Sequence, residues 1–319
     1  MTTCLPVLYF PVSEKTHVFS AINRRTPTMV TLSVVNQKGG VGKTTTTACL
    51  GTALSNLGYS VLVVDLDPQM NATKWMLGRE LESDEASVLD TMITASEDAG
   101  DDSDWPLARV IEPSYLEFDF VPAHSDLANI EGEVGEQPSR PYLLQERIQE
   151  VEKGRSFGYL NEVGAHISPE SRYDLCLIDC PPSLGLLVVQ ALTASDGLIV
   201  PVSVDGMSMQ GLEQLVSTAR QVQKYLNESI QITGLLPNNL DRRSGLVNEG
   251  LDQLRQEYGN LVFETEVPWR SKIIEVSTYG TTLYEHAPSS DAVTIYESLA
   301  REVAERSGLL ASETGAAMH

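Results

Sequence analysis

The stretch Asn36 to Thr47, N-Q-K-G-G-V-G-K-T-T-T-T, limits the possible folds more than any other part of the chain. Gly39, Gly40 and Gly42 lack a Cβ, so the backbone there can curl tightly and come close to a ligand. Just upstream, M-V-T-L-S-V-V over 29–35 is a short apolar run of the kind that forms a buried strand. Just downstream, 44–57 has the length of a helix and closes at Gly58, a C-terminal capping residue. A glycine loop between strand and helix turns backbone N–H groups and a helix N-terminus toward phosphate oxygens. In that setting Gly39, Gly40, Val41, Gly42, Lys43, Thr44 and Thr45 form the cradle. Lys43 reaches the β- and γ-phosphates of a nucleotide, and Thr44 sets its hydroxyl on Mg2+. The general pattern, G-x-x-x-x-G-K-[ST], has glycine where this chain has Gln37, and a second lysine, Lys38, follows it.

Strand and helix signals then alternate along the chain. Strands are expected at 61–64, 118–122, 175–178, 197–202, 230–236 and near Phe263. Helices are expected at 88–94, 142–153, 185–194, 209–226, 245–258 and 291–306. This pattern predicts an α/β fold: one phosphate-loop domain over 29–308, a mostly parallel twisted sheet with helices on both faces. Residues 1–28 lack periodicity and read as an N-terminal extension or as over-run upstream of a start at Met29; 309–319 read as a short tail. The run E-D-A-G-D-D-S-D reads as a solvated loop, 131–141 as a Gly/Pro-rich break and 154–170 as a connection.

Three carboxylates stand at strand ends, where open α/β sheets bind their ligands. Asp65 and Asp67 end the 61–64 strand, in D-L-D-P-Q. Asp179 ends the 175–178 strand and precedes Cys180-Pro181-Pro182, a placement suited to a carboxylate on the Mg2+ side of a phosphate site. The two prolines stiffen the loop after it, which could then report whether a γ-phosphate is bound.

The net charge of −22, with 7 lysines against 15 arginines, excludes a broadly basic nucleic-acid-binding face. It also suits a halophile's need for a surface that stays hydrated in concentrated salt. Cys4, Cys49, Cys176 and Cys180 form no C-x-x-C pair, so core packing in a reducing compartment is expected rather than a metal site. No apolar run reaches the 18 residues of a membrane span, and 1–28 makes a poor signal peptide.

The loop K-G-G-x-G-K-T resembles that of the ParA/MinD family of P-loop ATPases. Further matches are V-L-V-V-D-L-D-P-Q-M-N-A-T from Val61, L-I-D-C-P-P-S-L-G-L-L from Leu177, and A-L-T-A-S-D-G-L-I-V-P-V from Ala191. The likeness runs over about 29–305 and is strongest to ParA-type partition ATPases. It implies a cytoplasmic, nucleoid-associated enzyme that hydrolyses ATP with Mg2+, dimerises on ATP, holds non-specific DNA and answers a ParB-like activator. Its cargo would be a chromosome, a plasmid or another assembly. It further implies that Lys38 crosses the dimer interface to the partner subunit's phosphates and that Asp67 orients the attacking water. Asp65 would support the metal shell or Thr44, Asp179 would serve Mg2+, and Asn238 and the Pro268 loop would frame adenine. Arg243 and Lys272 fall where relatives touch DNA, although P-W-R-S-K at 268–272 replaces the common P-R-N-V-R and Thr281 replaces a frequent lysine. A MinD-like membrane-cycling ATPase is the alternative. It needs a basic amphipathic C-terminal helix, which E-R-S-G-L-L-A-S-E-T-G-A-A-M-H does not offer, so no membrane partner is expected. Iron–sulfur carriers lack their cysteine pair here, and Lys38 with D-L-D-P-Q argues against a small-molecule kinase or synthetase.

Overall fold

The computed structural model describes residues 29–82, 84–94, 105–152, 173–204 and 206–309. The expected extension at 1–28, the acidic run at 97–104, the 154–170 connection and the tail beyond Leu309 lie outside the described residues.

Eight strands make one sheet: β1 (Val30–Val34), β2 (Val61–Asp65), β3 (Glu112–Pro113), β4 (Asp119–Val121), β5 (Leu175–Asp179), β6 (Gly197–Val202), β7 (Gln231–Leu240) and β8 (Val267–Pro268). Their spatial order is β3-β4-β2-β5-β1-β6-β7-β8, parallel throughout except for the antiparallel edge pair β3–β4. The helices are α1 (Lys43–Asn56), α2 (Asn71–Leu77), α3 (Val88–Thr94), α4 (Ile130–Glu133), α5 (Leu143–Glu152), α6 (Leu186–Ala194), α7 (Gly206–Tyr225), α8 (Gly245–Tyr258), α9 (Ser271–Tyr279), α10 (Leu283–His286) and α11 (Asp291–Arg306).

β1, β2, β5 and β6 are buried at every residue because both faces of the sheet are covered, so they read as continuous apolar runs. Successive side chains still divide between two cores. Leu62, Val64, Cys176 and Ile178 face the cluster that holds Leu187, Leu212 and Ile148. Val61, Val63, Leu175 and Leu177 face the cluster that holds Leu50, Leu54, Tyr296 and Leu299. Helix α1 lies in this second layer, between the sheet and α11, and is buried from Thr46 through Leu54. It shows little amphipathy for that reason, and a Cβ on Gly51 would stand 3.0 Å from the Phe118 ring. Its C-terminus closes as the sequence suggests. Gly58 takes φ 92°, its N–H reaches the Ser55 carbonyl and the Tyr59 N–H reaches the Leu54 carbonyl.

Several boundaries differ from expectation. The 230–236 strand runs on to Leu240, and the 209–226 helix begins at Gly206. The strand expected near Phe263 is a single bridge between Leu235 and Val262, and the true edge strand is β8. Helices α2 and α9 were not foreseen. α2 is only seven residues long and buries five of them, so Asn71 and Lys74 alone mark its outer face, too short a run to show a helical period. α9, S-K-I-I-E-V-S-T-Y, is rich in residues of modest helix propensity and buries only Ile273 and Val276.

The register places the site. Asp65 pairs with Asp179 across β2–β5, and Val34 pairs with the same Asp179 across β1–β5. The two carboxylates and the glycine loop that follows β1 therefore share the C-terminal edge of the sheet. That is where the chain leaves β1 in one direction for β2 and later crosses back beyond β1 from β5 to β6.

Candidate functional site

The loop is shaped by its glycines. Gly40 (φ 74°) and Gly42 (φ 87°) hold left-handed backbone, which other residues adopt only at a cost. Gly42 is also the N-cap of α1; no side chain caps this helix and its first turn carries no acid. The first N–H groups of a helix have no partner within it, so this end is chemically fitted to an anion. Gly39 and Gly40 are exposed with open space on their Cβ side, which leaves room for a polyphosphate against the amides.

Lys43 is buried at the mouth of this cradle and its ammonium lies 3.4 Å from the Lys38 carbonyl. Burial lowers its pKa, and the nearby Asp179, Cys180 and Asp67 act in the opposite direction. The Lys38 peptide is fixed from the other side: its N–H donates to Asn36 Oδ1 at 2.9 Å, and Asn36 Nδ2 donates to the Pro201 carbonyl at 2.7 Å. Asn36, which sequence reasoning passed over, thus ties the loop to β6. Its signal in the sequence was an asparagine directly after the 29–35 apolar run, two residues before the peptide it turns. The Lys38 side chain is half-buried.

Three carboxylates crowd behind the loop. Asp179 is fully buried and accepts from Thr44 Oγ1 at 2.7 Å and from Thr47 Oγ1 at 3.1 Å. Burial raises its pKa to about 7, against the opposing pull of Thr44 and Lys43. Asp65 is equally buried, and burial with Asp179 beside it raises its pKa to about 8. Its oxygens accept from the Asp67 N–H (2.9 Å), the Thr73 N–H (3.0 Å) and the Thr73 hydroxyl (2.8 Å). Asp65 therefore anchors the D-L-D-P-Q turn and α2, while Asp179, not Asp65, is the carboxylate on Thr44. Asp67 is buried and accepts from the Gln69 N–H at 3.0 Å. Two successive side-chain-to-backbone turns thus aim the Asp67 carboxyl, and left-handed Met70 (φ 55°) starts α2 behind it. Among the described residues no group of three His, Cys, Asp or Glu could hold a metal alone. The fitting donor set is the Thr44 hydroxyl with Asp179 behind it, completed by phosphate oxygens and water, as Mg2+ sites commonly are.

Asn238 and Pro268 stand together on the neighbouring edge, where Asn238 pairs with Val267 and Leu240 with Pro268. Asn238 Nδ2 donates to the Val41 carbonyl at 2.7 Å and fills the space a Cβ on Gly42 would need. In this structure it braces the phosphate loop. Arg243 and Lys272 lie apart from the loop, in the turn before α8 and in the first turn of α9. Both are matched by carboxylates of the same chain: Arg243 grips Asp241 through two 2.8 Å bonds, and Lys272 meets Glu275 at 2.7 Å. Cys49, Cys176 and Cys180 are buried free thiols, all pushed up by burial. Among the described residues no helix is long and apolar enough to cross a membrane.

The family model described as an AAA domain matches residues 29–232. The sporulation initiation inhibitor protein Soj of Bacillus subtilis is 36% identical over 274 residues, 86% of this chain and 97% of Soj. The chromosome partitioning protein ParA of Caulobacter vibrioides is 31% identical over 86% of this chain and 94% of its own length. Among solved structures, a cobyrinic acid a,c-diamide synthase of Mycobacterium smegmatis, with bound ATP analogue and magnesium, superposes with TM-score 0.68. It is 27% identical and covers 86% of this chain and 93% of its own.

Proposed function

The chain belongs to the Soj/ParA family of P-loop ATPases, and from that premise we propose that it binds ATP with Mg2+ and uses the hydrolysis cycle to partition or position a DNA-borne cargo. The observation that carries the reading is the bond from Thr44 Oγ1 to Asp179, set beside a buried Lys43 at an uncapped helix N-terminus. In this reading the amides from Gly39 to Thr45 and the Lys43 ammonium hold the polyphosphate. Thr44, with Asp179 behind it, holds Mg2+, which would offset charge on the β- and γ-phosphate oxygens. Asp67 aims the attacking water at the γ-phosphorus and draws its proton, so that ADP and phosphate leave. Asn238 and the Pro268 loop flank the base.

Lys38 supplies the switch. An ammonium on the outer edge of the loop can reach the phosphates of a facing subunit, and ADP offers it less charge than ATP. The dimer would then form with ATP and part after hydrolysis. Arg243 and Lys272 would contact DNA backbone without reading sequence, and a ParB-like protein would stimulate turnover. The site of action is the nucleoid, and the net charge of −22 suits work in concentrated salt.

DNA co-sedimentation with ATP or ADP across a salt series tests this directly. ATP-dependent retention that weakens with salt is expected; no ATP-dependent retention at any salt sinks the partition reading. In size-exclusion chromatography with a slowly hydrolysed ATP analogue, Lys38→Ala should stay monomeric. Dimerisation equal to wild type would remove its cross-subunit role.

A further inference from the structure

Helix α2 is less than two turns long, too short to hold its own shape, so its seat depends on what it is bonded to. On one side Thr73 ties it to the sheet. The Thr73 N–H and hydroxyl donate to Asp65 Oδ2, and the hydroxyl accepts from the Ala123 N–H at 2.9 Å. Trp75 comes two residues later, about 200° around the helix axis, and so faces the opposite way. It is buried in the second core with Ile273, Val276 and Leu283. Its indole Nε1–H donates to the Thr281 carbonyl at 3.2 Å, 206 residues along the chain. Thr281 is the corner between α9 and α10. Gly280 ends α9 in left-handed backbone (φ 63°), the Thr281 N–H reaches the Val276 carbonyl, and Thr282 caps α10. The far end of α2 takes the Tyr115 N–H on its Met76 carbonyl.

The near end of α2 carries the turn that holds Asp67. The Met70 N–H donates to the Asp67 carbonyl at 2.8 Å and the Lys74 N–H to the Met70 carbonyl at 3.0 Å, so turn and helix move as one piece. A leucine or phenylalanine would fill the same apolar space without a polar partner. An indole adds an N–H that costs free energy when buried unpaired, so its ring has to keep the rotation that meets Thr281. We infer that Trp75 is a positioning residue for hydrolysis: the bond from its indole to the Thr281 carbonyl sets the seat of α2, and α2 sets where the Asp67 carboxyl stands. This rests on Asp67 directing the attacking water. Asp67 is then set from two layers, by Asp65 on the sheet and by the α9–α10 corner beyond the helix. The phosphate cradle from Gly39 to Thr45 takes no part in the Trp75–Thr281 bond, so nucleotide binding should not feel its loss.

The test uses the full chain with ATP and Mg2+. Trp75→Phe keeps a ring in the core and removes the N–H. Benzothienylalanine introduced in place of Trp75 keeps the indole shape and puts sulfur where the N–H was, so packing stays constant even where Trp75→Phe folds poorly. In both proteins kcat for phosphate release should fall by about two- to tenfold, the scale of one hydrogen bond. KM for ATP and dimerisation on an ATP analogue should stay within about twofold of wild type. The same replacements in an Asp67→Ala background, read by single-turnover phosphate release at high enzyme concentration, should lower the residual rate no further, because the group they position is gone. A kcat left unchanged by benzothienylalanine overturns the inference, and a lower urea midpoint beside that unchanged kcat makes Trp75 a core residue alone. An equal fall in both backgrounds overturns it too, since Trp75 then acts on something other than Asp67. If Asp67→Ala by itself turns over ATP like wild type, the water-directing reading of Asp67 fails and takes this inference with it.

Discussion

The two halves of the sheet's C-terminal edge solve different physical problems. Around β1, β2 and β5 the chemical groups are buried, and each is held by backbone or by a neighbour in the same cluster: Asp179 by Thr44 and Thr47, Asp65 by Thr73 and the Asp67 peptide. After β7 the charged groups are exposed and pair locally: Arg243 with Asp241, Lys272 with Glu275, Arg270 with Asp291. A buried polar or ionisable group must have its partners built into the fold, so its role leaves a pattern in the chain. An exposed pair is worth about 0–1 kcal/mol and can be exchanged for another partner, so it commits the chain to little.

The largest effect should come from the buried half. Lys43→Ala removes the buried cation facing Asp179 and Asp67, and phosphate release should fall by about a hundredfold or more. Calorimetry with an ATP analogue should show weakened binding at the same time. Turnover within a factor of a few of wild type would mean that the cradle is not the working site. Asp67→Ala divides that half more finely. Analogue binding and analogue-driven dimerisation should persist, while turnover drops by about two orders of magnitude, in the range of a lost general base. Preserved hydrolysis would move the water-directing role to another group.

A third effect needs no substitution. Burial, and for Asp65 the neighbouring Asp179, pushes the Asp65 and Asp179 carboxyls far above the ordinary carboxylate value, so the pair holds a proton in the fold at pH values where an exposed carboxylate has lost it. An unfolded chain loses that proton near pH 4, so between about 4 and 8 the folded state binds more protons. Stability of the nucleotide-free protein in a chelator should therefore be full below about pH 4 for this contribution and decline as pH rises toward 8. The slope is at most about 1.4 kcal/mol per pH unit per group. Urea titrations at several pH values read the slope, and Asp65→Asn should flatten it. A slope untouched by that change would place the pH dependence elsewhere.

The same contrast governs what was legible in advance. Residues 36–47, Asp65, Asp67 and Asp179 were readable because strand, glycine turn and helix follow one another in sequence, and parallel register then gathers the strand ends. The partners of Asp65 were not readable, since Thr73 lies in α2, a seven-residue helix too short to show a period. Asn238 falls beyond the 230–236 strand expected from the sequence, and its bond to the Val41 carbonyl depends on how β7 runs on past the loop, which no local pattern encodes. At Arg243 and Lys272 the residue types were visible, and the carboxylates two and three positions away were visible too. What a linear reading lacks is the rotamer that joins them.

The smallest expected effect tests the exposed half on its own terms. If Arg243 meets DNA phosphate, Asp241 competes for the same guanidinium at 2.8 Å. Asp241→Asn then leaves the arginine in place and removes its rival charge, so ATP-dependent DNA binding should tighten by about two- to fivefold, the scale of one exposed pair. Arg243→Ala should do the reverse and lower the slope of log affinity against log salt by about one, the signature of a lost phosphate contact. The two substitutions push in opposite directions at one point on the surface, so a change in general charge or folding cannot mimic both. Should binding strengthen with Asp241→Asn and stay unchanged with Arg243→Ala, the gain comes from relieving repulsion on an acidic surface and the DNA contact lies elsewhere. Should both leave DNA binding as it was, the turn before α8 is a closed ion pair and takes no part in holding DNA.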